Sequence, residues 1–379
     1  MKTNKFMLLL AVLGLVVSCG PSEILIDNQE PETQAPGRIG FETFVNKSTR
    51  ADANNSSVLK DFYPAFNVYG WKTIDGNDIA TFDNVTVEYF AEDKAGTYVY
   101  TAGKPSDEWT FAAGWYYENL RYWDQMASAY QFCAYAPITA SADVACTSDG
   151  IIKIGTSTSP ITVDGKNLMA TPATDLAYKG FDKDYMTATS TATSGTASFS
   201  FTHLQAKFNI RVRLSNTVTT SQDISVKKIQ LHNLGDKAYY VSDAAAAPAV
   251  NGWTLGTASA TYIPKVETSY SLNAATNYHN HYLLEQLIIP QTIEKAAAAT
   301  PALSEFTEAC IYVEYNIGSE PFKSYTPLAN IFDTSTASTY TFQAGNQYTL
   351  NINIGPEPIN FTAEVSTWAD AIEGNQNIN

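Results

Sequence analysis

Basic residues are scarce in this chain of 379 residues: 23 Lys and Arg stand against 38 Asp and Glu, for a formal net charge of −15. A surface of that sign repels phosphate backbones and anionic headgroups. Nucleic acid is therefore excluded as a partner, and a basic patch is excluded as a source of membrane affinity. Cysteine is scarce too: Cys19, Cys133, Cys146 and Cys310 are the whole set. Setting Cys19 aside, three remain, which allows at most one internal bridge. Cys133 and Cys146 are close enough in sequence to form it; buried free thiols are the alternative. Signatures of catalysis are missing. The chain has no Gly-rich phosphate loop, no Gly-x-Ser-x-Gly elbow and no spaced zinc motif. Asp75-Gly76-Asn77-Asp78 lacks the ligand spacing of a calcium loop and reads as a turn. His279 and His281 would share a strand face, but only Glu285 is near them in sequence, too few donors for zinc. The expectation is a protein without enzymatic activity, cofactor or metal.

Long apolar runs are also lacking. The one near the N-terminus, Leu8 to Val17, is too short for a stable spanning helix. It follows the basic Lys2 and Lys5 and ends in Ser18-Cys19. Residues 1–18 read as a lipoprotein signal, with cleavage before Cys19 and a diacylglycerol on its sulfur. An ordinary secretory signal with a chance cysteine is the alternative. Loss of residues 1–18 removes two lysines and takes the net charge to −17. Residues 19–37, polar and proline-containing, read as a flexible tether.

What is abundant favours strands: 23 Tyr and 18 Phe among many Thr and Ser, with few long helical patterns. Ile39, Phe41, Thr43 and Val45 alternate in a short strand that runs into the polar stretch 46–57. Phe66–Trp71 and Val85–Phe90 are further strands, and Asp164-Gly165 between two short apolar runs reads as a hairpin turn. Residues 187–198, rich in Thr, Ala and Ser, mark a domain boundary. Beyond it, Phe208, Ile210, Val212 and Leu214 share one face, leaving Lys207, Asn209, Arg211 and Arg213 for a wet one. Tyr348 to Ile354 and Ile359 to Val365 repeat the alternation. Many short strands at this spacing imply an all-β sandwich or barrel. The division expected is 38–193 and 194–379. Trp115 and Trp123 sit in an aromatic cluster that could stack on sugars, core burial being the commoner role of such residues.

Several short stretches, in order, resemble the Bacteroidetes fimbrillins, subunits of type V pili. They are the Cys19 lipobox, Ser48-Thr49-Arg50-Ala51, Arg121-Tyr122-Trp123 and Tyr130 to Pro137. Phe201 to Phe208, Leu287 to Thr292, Gly345 to Leu350, and Ile359 to Val365 ahead of Trp368 continue the series. The resemblance implies two tandem transthyretin-like β-sandwich domains. It implies export as a lipoprotein, display at the outer membrane and cell surface in a fimbrium, and other pilus subunits as partners. It further implies that an arginine-specific protease cuts beyond the first strand. That strand and the lipid then leave, and a strand from a neighbouring subunit fills the groove.

On this chain Arg50 and Ala51 flank the expected cut, an uncut surface arginine being the alternative, and Ile39, Phe41 and Val45 mark the displaced strand. Arg38 precedes the strand, so a cut there would release the lipid and keep the plug. Three buried apolar groups in the strand contribute roughly 5–9 kcal/mol before ordering costs. Ile359, Phe361 and Val365 lie on the candidate donor strand, which could equally complete its own domain; the polar tail beyond it tilts the expectation toward a tip or accessory subunit. The competing expectation is a non-polymerising surface lipoprotein that binds glycans through its β-sandwich.

Overall fold

The computed structural model describes residues 37–45, 59–60, 63–90, 113–162, 165–167, 184–214, 224–244, 249–256, 270–272, 284–295, 308–333, 335–355 and 359–367. Cys19, Arg50, Ala51, His279 and His281 lie outside them. Among the described residues strands dominate and helix is slight, and no helix is long and apolar enough to cross a membrane. In chain order the first strands are β1 (Gly40–Val45), β2 (Ala65–Ile74), β3 (Asn77–Phe90), β4 (Gly114–Tyr117), β5 (Ala129–Ala136), β6 (Val144–Cys146), β7 (Ile152–Ile154), β8 (Ile161–Thr162) and β9 (Gly165–Asn167). There follow β10 (Met186–Ala192), β11 (Thr196–His203), β12 (Ala206–Leu214), β13 (Ile224–His232), β14 (Lys237–Val241), β15 (Trp253–Leu255), β16 (Tyr270–Leu272) and β17 (Leu284–Ile288). The last are β18 (Gln291–Glu294), β19 (Cys310–Ile317), β20 (Glu320–Pro327), β21 (Thr339–Phe342), β22 (Asn346–Ile354) and β23 (Asn360–Thr367).

The first sheet has seven strands in the order β1-β11-β10-β5-β2-β3-β4. Its β2–β3 hairpin turns at Asp75-Gly76, with φ of 51° and 77°. Two successive positive φ angles match the strand twist, which is why Asp-Gly suits the turn. β1 alone in this sheet runs parallel to its neighbour, β11. The two ends of the strand order meet, since the Tyr117 hydroxyl of β4 donates to the Ile39 carbonyl beside β1. The sheet is thereby rolled around an aromatic core.

A five-stranded sheet, β23-β22-β12-β17-β9, faces a four-stranded one, β16-β13-β19-β20. Phe208, Ile210 and Val212 of β12 and Tyr348, Leu350 and Ile352 of β22 share one core with Ile229 and Leu231 of β13 and Ile311 and Val313 of β19. Two sheets with interdigitated inner faces make a sandwich. The alternation in β12 therefore points its apolar face as expected. Its other face is not wholly wet: Asn209 is fully buried and Lys207 nearly so. Lys207 tolerates burial because its Nζ lies 3.1 Å from the Glu285 carboxylate on β17.

One expectation is corrected. Asp164-Gly165 does not close a hairpin: β8 pairs with β14, and β9, which begins at Gly165, pairs with β17. Long-range strand partners override the local turn chemistry. The stretch 187–198 supplies most of β10 and the start of β11, and residues 193 and 194 fall in the turn between them. The change from the first sheet to the second comes at Leu204 and Gln205, between β11 and β12. The two halves also share a sheet, because β6, β7 and β8 join β14 and β15. Behind it a third core combines Cys133 and Tyr135 with Ile154, Tyr240 and Trp253.

Candidate functional site

β1 is the closing strand of the rolled sheet. Ile39, Phe41, Thr43 and Val45 point inward and are buried, while Glu42 is exposed. On one side the backbone follows β11 in register from Gly40 opposite Thr196 to Val45 opposite Phe201. On the other side, among the described residues, backbone hydrogen bonds hold its entry. Ile39 N–H donates to the Arg121 carbonyl at 2.9 Å, and Trp123 N–H donates to the Gly37 carbonyl at 2.6 Å. A strand at a sheet edge that is clasped at one end can be drawn out with few backbone bonds broken on that side.

The slot that receives Phe41 is aromatic. Its ring lies 5.4 Å from Phe82, 5.5 Å from Tyr117, 5.6 Å from Phe199, 5.9 Å from Phe132 and 6.3 Å from Phe66. Most of these contacts are edge-to-face, the favoured geometry of paired rings. Phe41, at 3% exposure, is thus the hub of a core drawn from five other strands. Tyr117 adds a polar clasp through its 2.7 Å bond to the Ile39 carbonyl. Burial pushes the Tyr117 phenol upward, against the smaller opposing effects of a backbone bond at Arg121 and the charge of Arg38, so it remains a donor.

One position fits less well. Thr43 is fully buried and, among the described residues, its hydroxyl has no hydrogen-bond partner. A buried, unsatisfied hydroxyl costs about 1–3 kcal/mol. The plug therefore carries a built-in defect midway along it.

Arg38 lies in a sheltered place. Its guanidinium sits 5.6 Å from the Tyr116 ring centroid and 5.5 Å from that of Tyr117, and its backbone bridges to Tyr122. Paired backbone resists the extended fit that a protease needs, so the geometry is unfavourable for a cut at Arg38.

Trp115 and Trp123 do not form an open stacking platform. Trp115 is buried, with Phe66 at 4.9 Å and Tyr89 at 5.2 Å. Trp123 packs against Tyr130 at 4.7 Å and donates from Nε1 to the Gly195 carbonyl at 3.0 Å. Trp115 thus belongs to the aromatic core around β1, and Trp123 packs partly buried against it, the commoner role of such residues.

β23 is docked differently. It runs antiparallel to β22, with Phe361 opposite Ile352 and Val365 opposite Tyr348. Ile359 and Phe361 are half-buried against the sandwich core, but Val365 is 49% exposed. No residue of β23 is fully buried.

The residues missed from sequence are those of the slot: Tyr117, Phe199, Phe82 and Phe66. A signal existed for part of it, because Ala197, Phe199, Phe201 and His203 alternate with Ser198, Ser200 and Thr202. His203 ends that inner face in a buried pair with Asp184 at 3.0 Å. Among the described residues, no group of three or more His, Cys, Asp or Glu side chains could hold a metal.

A family model described as "Fimbrillin-like" matches residues 49–368. No curated protein matches. Among solved structures, a fimbrial protein from Bacteroides vulgatus is similar with a TM-score of 0.48 and 16% identity, over 88% of this chain and 100% of that one. The tip fimbrial protein Mfa3 from Porphyromonas gingivalis, in a C-terminally truncated form, is similar with a TM-score of 0.38 and 11% identity, over 82% of this chain and 96% of that one.

Proposed function

The chain belongs to the fimbrillin-like family, and on that premise we propose that it is a fimbrial subunit held ready for assembly by its own first strand. In this reading the chain is exported as a lipoprotein on Cys19 and tethered to the outer membrane through residues 19–37. An arginine-specific protease cuts between Arg50 and Ala51, freeing β1 together with the lipid. A strand from another subunit then enters along β11. The role is structural and adhesive, with no chemistry required of the subunit.

The observation that carries the reading is the placement of β1. It fills an aromatic slot, pairs on one long edge, and precedes Arg50 by a short stretch. Loss of β1 opens backbone groups along β11 and the pocket of Phe41 together, so a donor strand regains both hydrogen bonds and apolar burial. The unpartnered Thr43 hydroxyl supports the same reading, because a donor with an apolar residue at that point would bind better than the resident strand. β23 is the candidate donor, its half-buried Ile359 and Phe361 giving up little on release. A tip or accessory position is the finer part of the proposal. We also place the division between the two units at Leu204 and Gln205, with the small shared sheet as the bridge.

The test is N-terminal sequencing of protein sheared from the cell surface, alongside gels run without boiling. The expected result is an N-terminus at Ala51 in heat-sensitive ladders. Shed material that keeps acylated Cys19 and runs only as a monomer would falsify subunit exchange and return the chain to a permanently anchored lipoprotein.

A further inference from the structure

We propose that Cys133 and Cys146 are a disulfide site, reduced in this structure, whose oxidation staples the rolled first sheet to the small sheet shared by the two halves. Cys133 lies on β5 and is fully buried; Cys146 ends β6 and is partly buried against the same core. Both side chains meet the same core, with Tyr135, Val144 and Ile154 around them. The chain between them doubles back through the turn at Pro137–Ala140 and Asp143, closed by Ala140 N–H to the Pro137 carbonyl at 3.0 Å and Asp143 N–H to the Ala140 carbonyl at 2.9 Å. Tyr69 is opposite Cys133 across β2 and β5, and its hydroxyl reaches the Val144 carbonyl at 3.4 Å, two residues before Cys146. These contacts hold β6 against the back of β5 independently of the thiols. Cys310 is buried on β19, in the four-stranded sheet, and is not part of that core.

The bond has a place to act. Phe132, next to Cys133, faces the other way and lines the slot of Phe41. A cross-link behind β5 braces that wall from outside whether or not β1 is present. β6 belongs to the sheet that carries β14 and β15, so the cross-link also ties the first sheet to strands of the second half.

The chemistry is thiol–disulfide exchange with a small disulfide as oxidant. The Cys146 thiolate attacks one sulfur of the oxidant and releases a thiol. The Cys133 thiolate then attacks Sγ of Cys146 and releases the second thiol. Two electrons pass to the oxidant, whose two released thiols take up the two protons. The neighbouring Cys133 thiol and burial both hold the Cys146 thiol well above the ordinary thiol range, so exchange is slow near neutral pH and quickens as pH rises.

The experiment treats the folded full chain with oxidised glutathione, blocks free thiols under denaturing conditions, and maps the peptides by mass spectrometry. Expected are a peptide pair joined through Cys133 and Cys146, an alkylated Cys310, and a Tm raised by about 5–10 °C that reductant abolishes. Cys146→Ala, at the partly exposed member, should lose both the link and the shift; Cys133→Ala serves as a second variant. Recovery of Cys133 and Cys146 both alkylated, a link to Cys310 instead, or a link that forms only in denaturant overturns the proposal.

Discussion

β1 sets Ile39, Phe41, Thr43 and Val45 on one face, and β23 sets Ile359, Phe361, Ala363 and Val365 on one face. Both are edge strands with a full ladder to one neighbour, β1 parallel to β11 and β23 antiparallel to β22. Yet the inward side chains of β1 are buried, whereas those of β23 are half-buried or exposed. The ladder is thus not what distinguishes them. β1 closes a rolled sheet whose two edges meet around it, so its side chains enter a core from the middle. β23 packs along the outside of a core that β12, β13, β19 and β22 already fill. A strand of one pattern can be a plug or a flap, and the difference lies in what the rest of the chain leaves open for it.

The comparison breaks or sharpens under four measurements. The largest effect is expected from truncating the two phenylalanines. Phe41→Ala should cost about 3–5 kcal/mol in urea unfolding, because it leaves a cavity among five aromatic rings, whereas the half-buried Phe361→Ala should cost about 1 kcal/mol. Similar costs at the two sites would end the distinction. Next comes hydrogen exchange in the uncut chain: the amides of β23 should exchange at least about tenfold faster than those of β1, reflecting cheaper local opening. Equal protection would show that β23 is held as firmly as β1.

Smaller effects probe the slot itself. Thr43→Val should stabilise the uncut chain by about 1 kcal/mol, because it replaces an unpartnered hydroxyl with a methyl. It should also slow release of β1 after cleavage, read as slower capture of a synthetic donor peptide. A destabilised Thr43→Val would mean that the hydroxyl is satisfied in solution. Tyr117→Phe should cost about 0.5–1.5 kcal/mol through loss of the bond to the Ile39 carbonyl, with no counterpart in β23. No change in stability would remove Tyr117 from the clasp.

Much of the fold was legible. Alternation in Lys207–Leu214 and Tyr348–Ile354 named the inner faces of β12 and β22, because one buried face writes a period of two into a strand. The same signal named the inward residues of β1. The slot was not legible, since Phe66, Phe82, Tyr117, Phe132 and Phe199 come from five strands spread over residues 66–199. Nothing local says that they converge. Asp75-Gly76 and Asp164-Gly165 make the same point in miniature. The first dipeptide turns a hairpin, and the second stands where the chain passes from a strand on β14 to a strand on β17.

By itself the sequence determined that this is an all-β chain of acidic surface, that β1 has an apolar face, and that β12 and β22 belong in a core. These follow from charge count and from side-chain alternation, which act within a few residues. Only the tertiary structure decided that β1 lies parallel to β11, that Trp115 and Trp123 build its wall, and that strands of the two halves share a sheet. It also decided that Phe41 is buried to 3% exposure while Val365 stays 49% exposed. Pairing partners and burial depth depend on which distant surfaces are already occupied, and a local pattern carries no record of that.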